Sequence, residues 1–67
     1  MRDTRYKVLV RPINGRASTV YAGNDVDEAA VAYNREAERQ QQAEVEMLRE
    51  THDGARRVRH VMHKVTR

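Results

Sequence analysis

The first third of the chain alternates apolar and polar residues with the period of a β-strand. The stretch "RYKVLVRPINGRASTVYAG" contains two such runs, separated by Asn14-Gly15. This dipeptide favours a two-residue type I′ turn, which would place Leu9 opposite Val20. The pattern therefore predicts a β-hairpin with strands at about residues 5–11 and 17–22.

The next stretch changes to the period of a helix. In "NDVDEAAVAYNREAERQ" the apolar residues recur at i, i+3, i+4, i+7 and i+11 from Val26, which defines one buried stripe. Asp25 is suited to the N-cap, with Asn24 as the alternative, and further acids follow in the first turn, where the helix dipole favours them. We expect a helix over about residues 25–41.

The segment "VEMLRETHDGARRVRHVM" permits two interpretations. Its good helix formers allow the helix to continue, whereas Asp53-Gly54 favours a second type I′ hairpin. The hairpin sorts apolar residues onto one face and places Glu50 opposite Arg57, so that opposite charges pair. We therefore favour strands at about residues 44–51 and 56–65.

These elements predict an α+β fold in one domain of residues 1–67. Its order is β-β-α-β-β, with a four-stranded antiparallel sheet covered on one face by a single helix. The strand order is 2-1-3-4, or an alternative with the second hairpin on the other edge. The predicted buried layer is Tyr6, Val8, Val10, Tyr21, Val26, Ala29, Ala30, Tyr33, Ala37, Val45, Met47, Val58 and Met62.

One helix covers one side of a sheet, so the other side is a candidate interaction surface. We expect an apolar centre there, within a ring of basic side chains that includes His63. A homodimer, a partner protein or a nucleic acid could occupy this surface, or it could be a solvated face with a few exposed aliphatic residues. The candidate protein interface is Leu9, Val20, Leu48 and Val61.

Charge is distributed unevenly along the chain. The net charge is +3, yet residues 1–23 and 51–67 are each basic, whereas residues 24–50 are acidic. Most of the basic residues are Arg, which suits phosphate or carboxylate recognition, although codon bias gives the same preference. No aromatic residue interleaves with them to stack on bases. The candidate contacts to phosphate or to an acidic partner are Arg5, Lys7, Arg11, Arg56, Arg57, Arg59 and Lys64.

Residues that carry chemistry are few in this sequence. Cysteine is absent, Ser18 is the only serine, and on a strand His60 and His63 would point to opposite faces. We therefore expect no enzymatic activity, no metal and no cofactor. The charged N-terminal region contains no apolar signal segment, so we expect a cytoplasmic protein with no membrane contact.

The layout "YKVLV…NG…VYAGNDVDEAAVAYNREAE…AEVEMLRETHDGARRVR" resembles small accessory proteins of actinobacterial phages. Those proteins often combine a hairpin, a "G-D-x-x-E-A" helix entry and a final "V-x-L-x-R…G…R-x-V" hairpin. The resemblance implies a phage-encoded binding protein of a kind that includes inhibitors of host proteins, and it transfers no functional residues. The alternative hypothesis is a nucleic-acid-binding accessory protein that uses the Arg-rich C-terminal hairpin.

Overall fold

The computed structural model describes residues 2–67. Its elements are β1 (Arg2–Pro12), β2 (Ser18–Gly23), α1 (Val26–Arg39), β3 (Ala43–Asp53) and β4 (Arg56–Thr66). The strands form one antiparallel sheet in the order β2-β1-β3-β4, so the α+β class and the first of the two strand orders are confirmed.

The helix packs on β1, β2 and β3 and defines the buried side of the sheet. Directly opposite residues of the central strands, Val8 with Met47 and Val10 with Val45, point toward α1 and are buried. Ala29 is fully buried on the helix, where its small side chain permits close approach to the sheet. Among the described residues the buried core cluster is small: Val8, Val10, Ala29, Ala43, Val45 and Met47. The core is therefore thin.

Local contacts fix both ends of the helix. The Asp25 carboxylate accepts hydrogen bonds from the backbone N–H groups of Asp27 and Glu28, at 2.9 and 3.1 Å, so Asp25 is the N-cap. The helix ends at Arg39 and not at residue 41. Gln42 follows with a φ of 54°, a left-handed conformation that turns the chain into β3.

The first hairpin differs from the prediction in its turn. Val8 lies opposite Tyr21 as expected, but Val10 lies opposite Ser18, because Val20 is an extra residue in a β-bulge. Five residues, 13–17, therefore connect the strands. Within residues 2–67, only Gln42 and Gly54 have a positive φ, so the predicted type I′ turn at Asn14-Gly15 is wrong.

The second hairpin turns at Gly54 as predicted, but in a different register. Its two central residues are Gly54 and Ala55, and only Gly54 has a positive φ, of 64°, which is the feature of a type II′ turn. Each β3 residue near the turn therefore faces a β4 residue two positions later than predicted. In particular, Glu50 faces Arg59 and not Arg57.

A second bulge corrects the predicted faces of β4. Leu48 faces Val61 but Met47 faces His63, so Met62 is the extra residue. The bulge places His63 on the helix side, where its ring lies 5.6 Å from that of Tyr33, and not at the edge of the helix-free face. His60, opposite Arg49, lies on the same side, so the prediction of opposite faces for the two histidines is wrong.

Two residues of the predicted core are exposed. Val26 is 40% exposed at the start of α1, and Val58 is 48% exposed near the tip of the β3–β4 hairpin. A helix of 14 residues spans about 21 Å, whereas strands of 11 residues span about 36 Å, so α1 does not reach that tip. Ala43 is buried and Val65 packs against the core, although neither was predicted there.

Truncation of a buried central residue tests this description of the core. Met47→Ala should lower the free energy of unfolding by about 2–4 kcal/mol, since Met47 is 1% exposed and a cavity would remain. Val58→Ala is the matched control, and we expect a loss of less than about 1 kcal/mol. Urea denaturation measures both, and equal losses would contradict the assignment of Val58 to the exposed tip.

Substitution at the hairpin tip tests the second turn. Gly54→Ala should cost about 1 kcal/mol, because alanine disfavours the left-handed φ that this position requires. Gly54→Asn should cost less, since asparagine tolerates that conformation. A Cβ at Gly54 meets no atom within 4 Å, so the backbone alone should set the difference, which thermal denaturation can measure.

Candidate binding surface on the helix-free sheet face

The face of the sheet opposite α1 combines charged and apolar side chains. Because Val8 and Val10 face the helix, the odd-numbered residues of β1 point away from it. The residues opposite them on β3, and the residues of β4 opposite those, point away from the helix too. We call this surface the helix-free face. It consists of Asp3, Arg5, Lys7, Leu9 and Arg11 on β1, Glu44, Glu46, Leu48, Glu50 and His52 on β3, and Arg57, Arg59, Val61, Lys64 and Thr66 on β4.

A buried carboxylate lies at the centre of the cationic half of this face. Glu50 is 3% exposed, and each of its oxygens is engaged. Oε2 accepts a hydrogen bond from Arg59 Nε at 3.0 Å, and Oε1 accepts one from His52 Nε2 at 3.0 Å. Lys7 Nζ lies 3.5 Å from Oε1. Side chains from three strands therefore contact one carboxylate: Lys7 from β1, His52 from β3 and Arg59 from β4.

These partners determine the ionisation of Glu50. Hydrogen bonds from His52 and Arg59, together with the positive charge of Lys7, lower the pKa of Glu50 from 4.5 to about 2 and outweigh the desolvation that burial imposes. The carboxylate is therefore ionised near neutral pH, so the His52 nitrogen that faces it carries the proton. A carboxylate this acidic is a poor general base. Its position suits it to hold the cations in fixed places.

The apolar candidates are only partly brought together. Leu48 and Val61 lie opposite each other, with Leu9 diagonal to Leu48. Val61 is 47% exposed, whereas Leu48 is 3% exposed beneath its neighbours and is not the accessible contact that we expected. Val20 is not on this face, because the bulge places it beside Tyr21 in a groove along α1.

Four of the candidate cations already contact carboxylates. Arg59 and Lys7 bind Glu50, Lys64 Nζ lies 3.5 Å from Glu44, and Arg5 Nε lies 3.6 Å from Asp3. Among the side chains of residues 3–67, no carboxylate lies within 4.0 Å of the other three candidates. Of those three, Arg11 and Arg57 are on the helix-free face, and Arg56 points to the opposite side.

The Glu50 cluster itself was not predicted from the sequence. Its assembly depends on the β1–β3 register, which places Arg5 opposite Glu50 and Lys7 two pairs further along, on the same face. No short turn joins these strands, so local turn chemistry does not determine their register. The available signal was the pattern of basic residues 5 and 7 on one strand and acidic residue 50 on another.

Comparison with known proteins returns no matching family, no matching curated protein and no matching solved structure. The resemblance to phage accessory proteins therefore stays a prediction. In the described part of the chain, no helix has the length and apolar character needed to cross a membrane. Across residues 2–67, no three His, Asp or Glu side chains are grouped as a metal would require.

Acid titration tests the energetic role of Glu50. Since folding lowers its pKa from 4.5 to about 2, the stabilisation is present above pH 4.5 and is lost as the pH falls toward 2. The shift corresponds to at most about 3 kcal/mol. The partners of Glu50 are partly exposed, with side-chain exposures of 28% for Lys7, 41% for His52 and 54% for Arg59, so solvent screening should reduce this to about 1–2 kcal/mol. Glu50→Gln should lose that amount at neutral pH.

The control for this prediction is Glu38→Gln, on the exposed surface of α1. Stability curves measured by urea denaturation between pH 2 and 7 should be flatter for Glu50→Gln than for the wild type. The control should follow the wild-type curve. An unchanged slope in Glu50→Gln would show that other carboxylates cause the acid dependence.

Proposed function

We propose that this chain is a small non-enzymatic binding protein that docks a partner protein through the helix-free face. The observation that supports this most is the 47% exposure of Val61 on the edge strand β4, where it lies opposite Leu48 and between Arg59 and Lys64. An apolar spot within a charged margin is the usual anatomy of a protein interface. Among the side chains of residues 3–67, no carboxylate lies within 4.0 Å of the guanidinium groups of Arg11 and Arg57, and these groups suit carboxylates on the partner.

The Glu50 cluster supports docking in a second way. By binding Lys7 and Arg59, it fixes side chains that would otherwise lose rotamer freedom when a partner binds. Arg59 uses Nε for this contact, which leaves the N–H groups of its two Nη atoms as further donors. The cationic half of the face is therefore partly organised before binding.

Nucleic-acid binding is the alternative, through the Arg-rich β4. It is less favoured because four of the seven candidate phosphate contacts already have carboxylate partners. The acidic surface of α1, on the opposite side of the sheet, adds no attraction for phosphate. The resemblance to phage proteins is the ground for proposing a host or phage partner in the bacterial cytoplasm, with inhibition of a host protein as the effect.

A matched pair of substitutions on β4 tests the docking face. Val61 and Val58 have nearly equal exposure, 47% and 48%, but point to opposite sides of the sheet. In affinity capture from the expressing cell, wild type and Val58→Asp should retain the same stoichiometric partner. Val61→Asp should lose it, because a desolvated carboxylate opposes docking. Circular dichroism checks that each variant is folded.

Retention of the partner by Val61→Asp, or its loss from both variants, would contradict docking through this face. The nucleic-acid alternative predicts a different result. Arg57→Glu combined with Arg59→Glu would then abolish retention on heparin and on duplex DNA, and retention of the wild type would fall steeply with salt. Capture of a protein partner that persists after nuclease treatment supports the first proposal.

A further inference from the structure

The two edges of the sheet differ in charge. The exposed edge strand β2, Ser18–Gly23, contains no charged residue. The other edge strand, β4, contains four Arg or Lys residues, two His and no acid. Antiparallel pairing of β4 with a copy of itself would bring like charges together, which is destabilising and is a common protection of sheet edges. Pairing of β2 with its own copy meets no such repulsion.

An apolar groove accompanies the uncharged edge. The bulge turns Val20, which is 42% exposed, toward α1, where Val31 is 57% exposed. Between β2 and the helix lies a groove of about 430 Å³. It is lined by Val20, Tyr21, Asp27, Glu28, Val31, Ala32 and Arg35. The sequence placed Val20 on the other face, so this combined patch was not foreseen.

The charges beside the groove are self-complementary. Glu28 precedes Val31 by three residues on α1, and Arg35 follows it by four. A two-fold axis perpendicular to the sheet, beside β2, would place two helices antiparallel on the same side. Near Val31, Glu28 of each copy would then face Arg35 of the other, so the ion pair would form twice.

We propose that two copies of this chain pair antiparallel through β2 and form a continuous eight-stranded sheet. Val20 and Val31 of both copies cover each other in the joined groove, and Glu28 and Arg35 pair across the axis. A six-residue strand supplies about six backbone hydrogen bonds to such a pairing. The added burial offsets the thin core of each chain. This homodimer leaves the helix-free face open, so it goes beyond the proposed function.

Sedimentation equilibrium over a wide concentration range tests the oligomer directly. The wild type should reach twice the chain mass. Val20→Lys and Val31→Lys should each raise the dimer dissociation constant by at least about tenfold, because each places a charge in the covered groove. The matched controls are Val58→Lys and Val61→Lys, similarly exposed valines on the other edge strand, which should remain dimeric.

A charge exchange supplies a second test that does not depend on the valines. Arg35→Glu and Glu28→Arg should each weaken the dimer, since like charges then face each other across the axis. The double variant Glu28→Arg with Arg35→Glu should restore it. Circular dichroism verifies the fold of each variant.

Three results would overturn the proposal: a wild type that stays monomeric at all concentrations, a dimer that Val61→Lys dissociates and Val20→Lys does not, or no recovery in the double variant. In the first case the bulge serves only to protect the edge. In the second the helix-free face is the self-association surface. If Val20→Lys is monomeric and still captures the partner protein, the docking face functions without the dimer. Failure of one proposal is therefore distinguishable from failure of the other.

Discussion

The antiparallel pairing of β1 with β3 is the constraint on which the rest of the structure depends. It runs without interruption through eleven residue pairs, from Arg2 with Asp53 to Pro12 with Ala43. On one side it places Val8 on Met47 and so forms the centre of the core. On the other it places the cations of β1 beside Glu50. A shift of one residue would exchange these faces, so core and charged cluster are fixed by the same register.

The sequence determines the elements of this fold better than their alignment. Alternation of apolar residues, the Asp25 cap and the glycine at position 54 each influence only the few residues around them. Every element that these local signals predict exists in the structure. Alternation indicates which residues share a face but does not determine the offset between two strands. The extra residues Val20 and Met62 form bulges, after which the following residues of the strand point to the other side of the sheet. No local sequence pattern predicts these bulges.

The same holds for the candidate surface, where the sequence predicts which residues are charged or apolar better than it predicts their partners on neighbouring strands. Arg59 and Lys64 were identified as exposed cations, but the two-residue difference in register gave Arg59 a buried carboxylate as its partner. Leu48 was correctly assigned to the side away from the helix, but it is 3% exposed there, between its strand partners Lys7 and Val61. Contacts between strands that are distant in sequence therefore decide which of the predicted residues remain accessible to a partner.

The two interaction surfaces differ in their chemistry and are compatible in geometry. The helix-free face is cationic and ion-paired, whereas the β2 edge is uncharged and apolar beside α1. Rotation about a two-fold axis perpendicular to the sheet keeps each side of the sheet on the same side. A dimer paired through β2 therefore presents both helix-free faces in the same direction. A partner with repeated sites would then be bound twice, with the second contact strengthened by proximity. Dimerisation would thus serve affinity as well as the stability of a chain with a thin core.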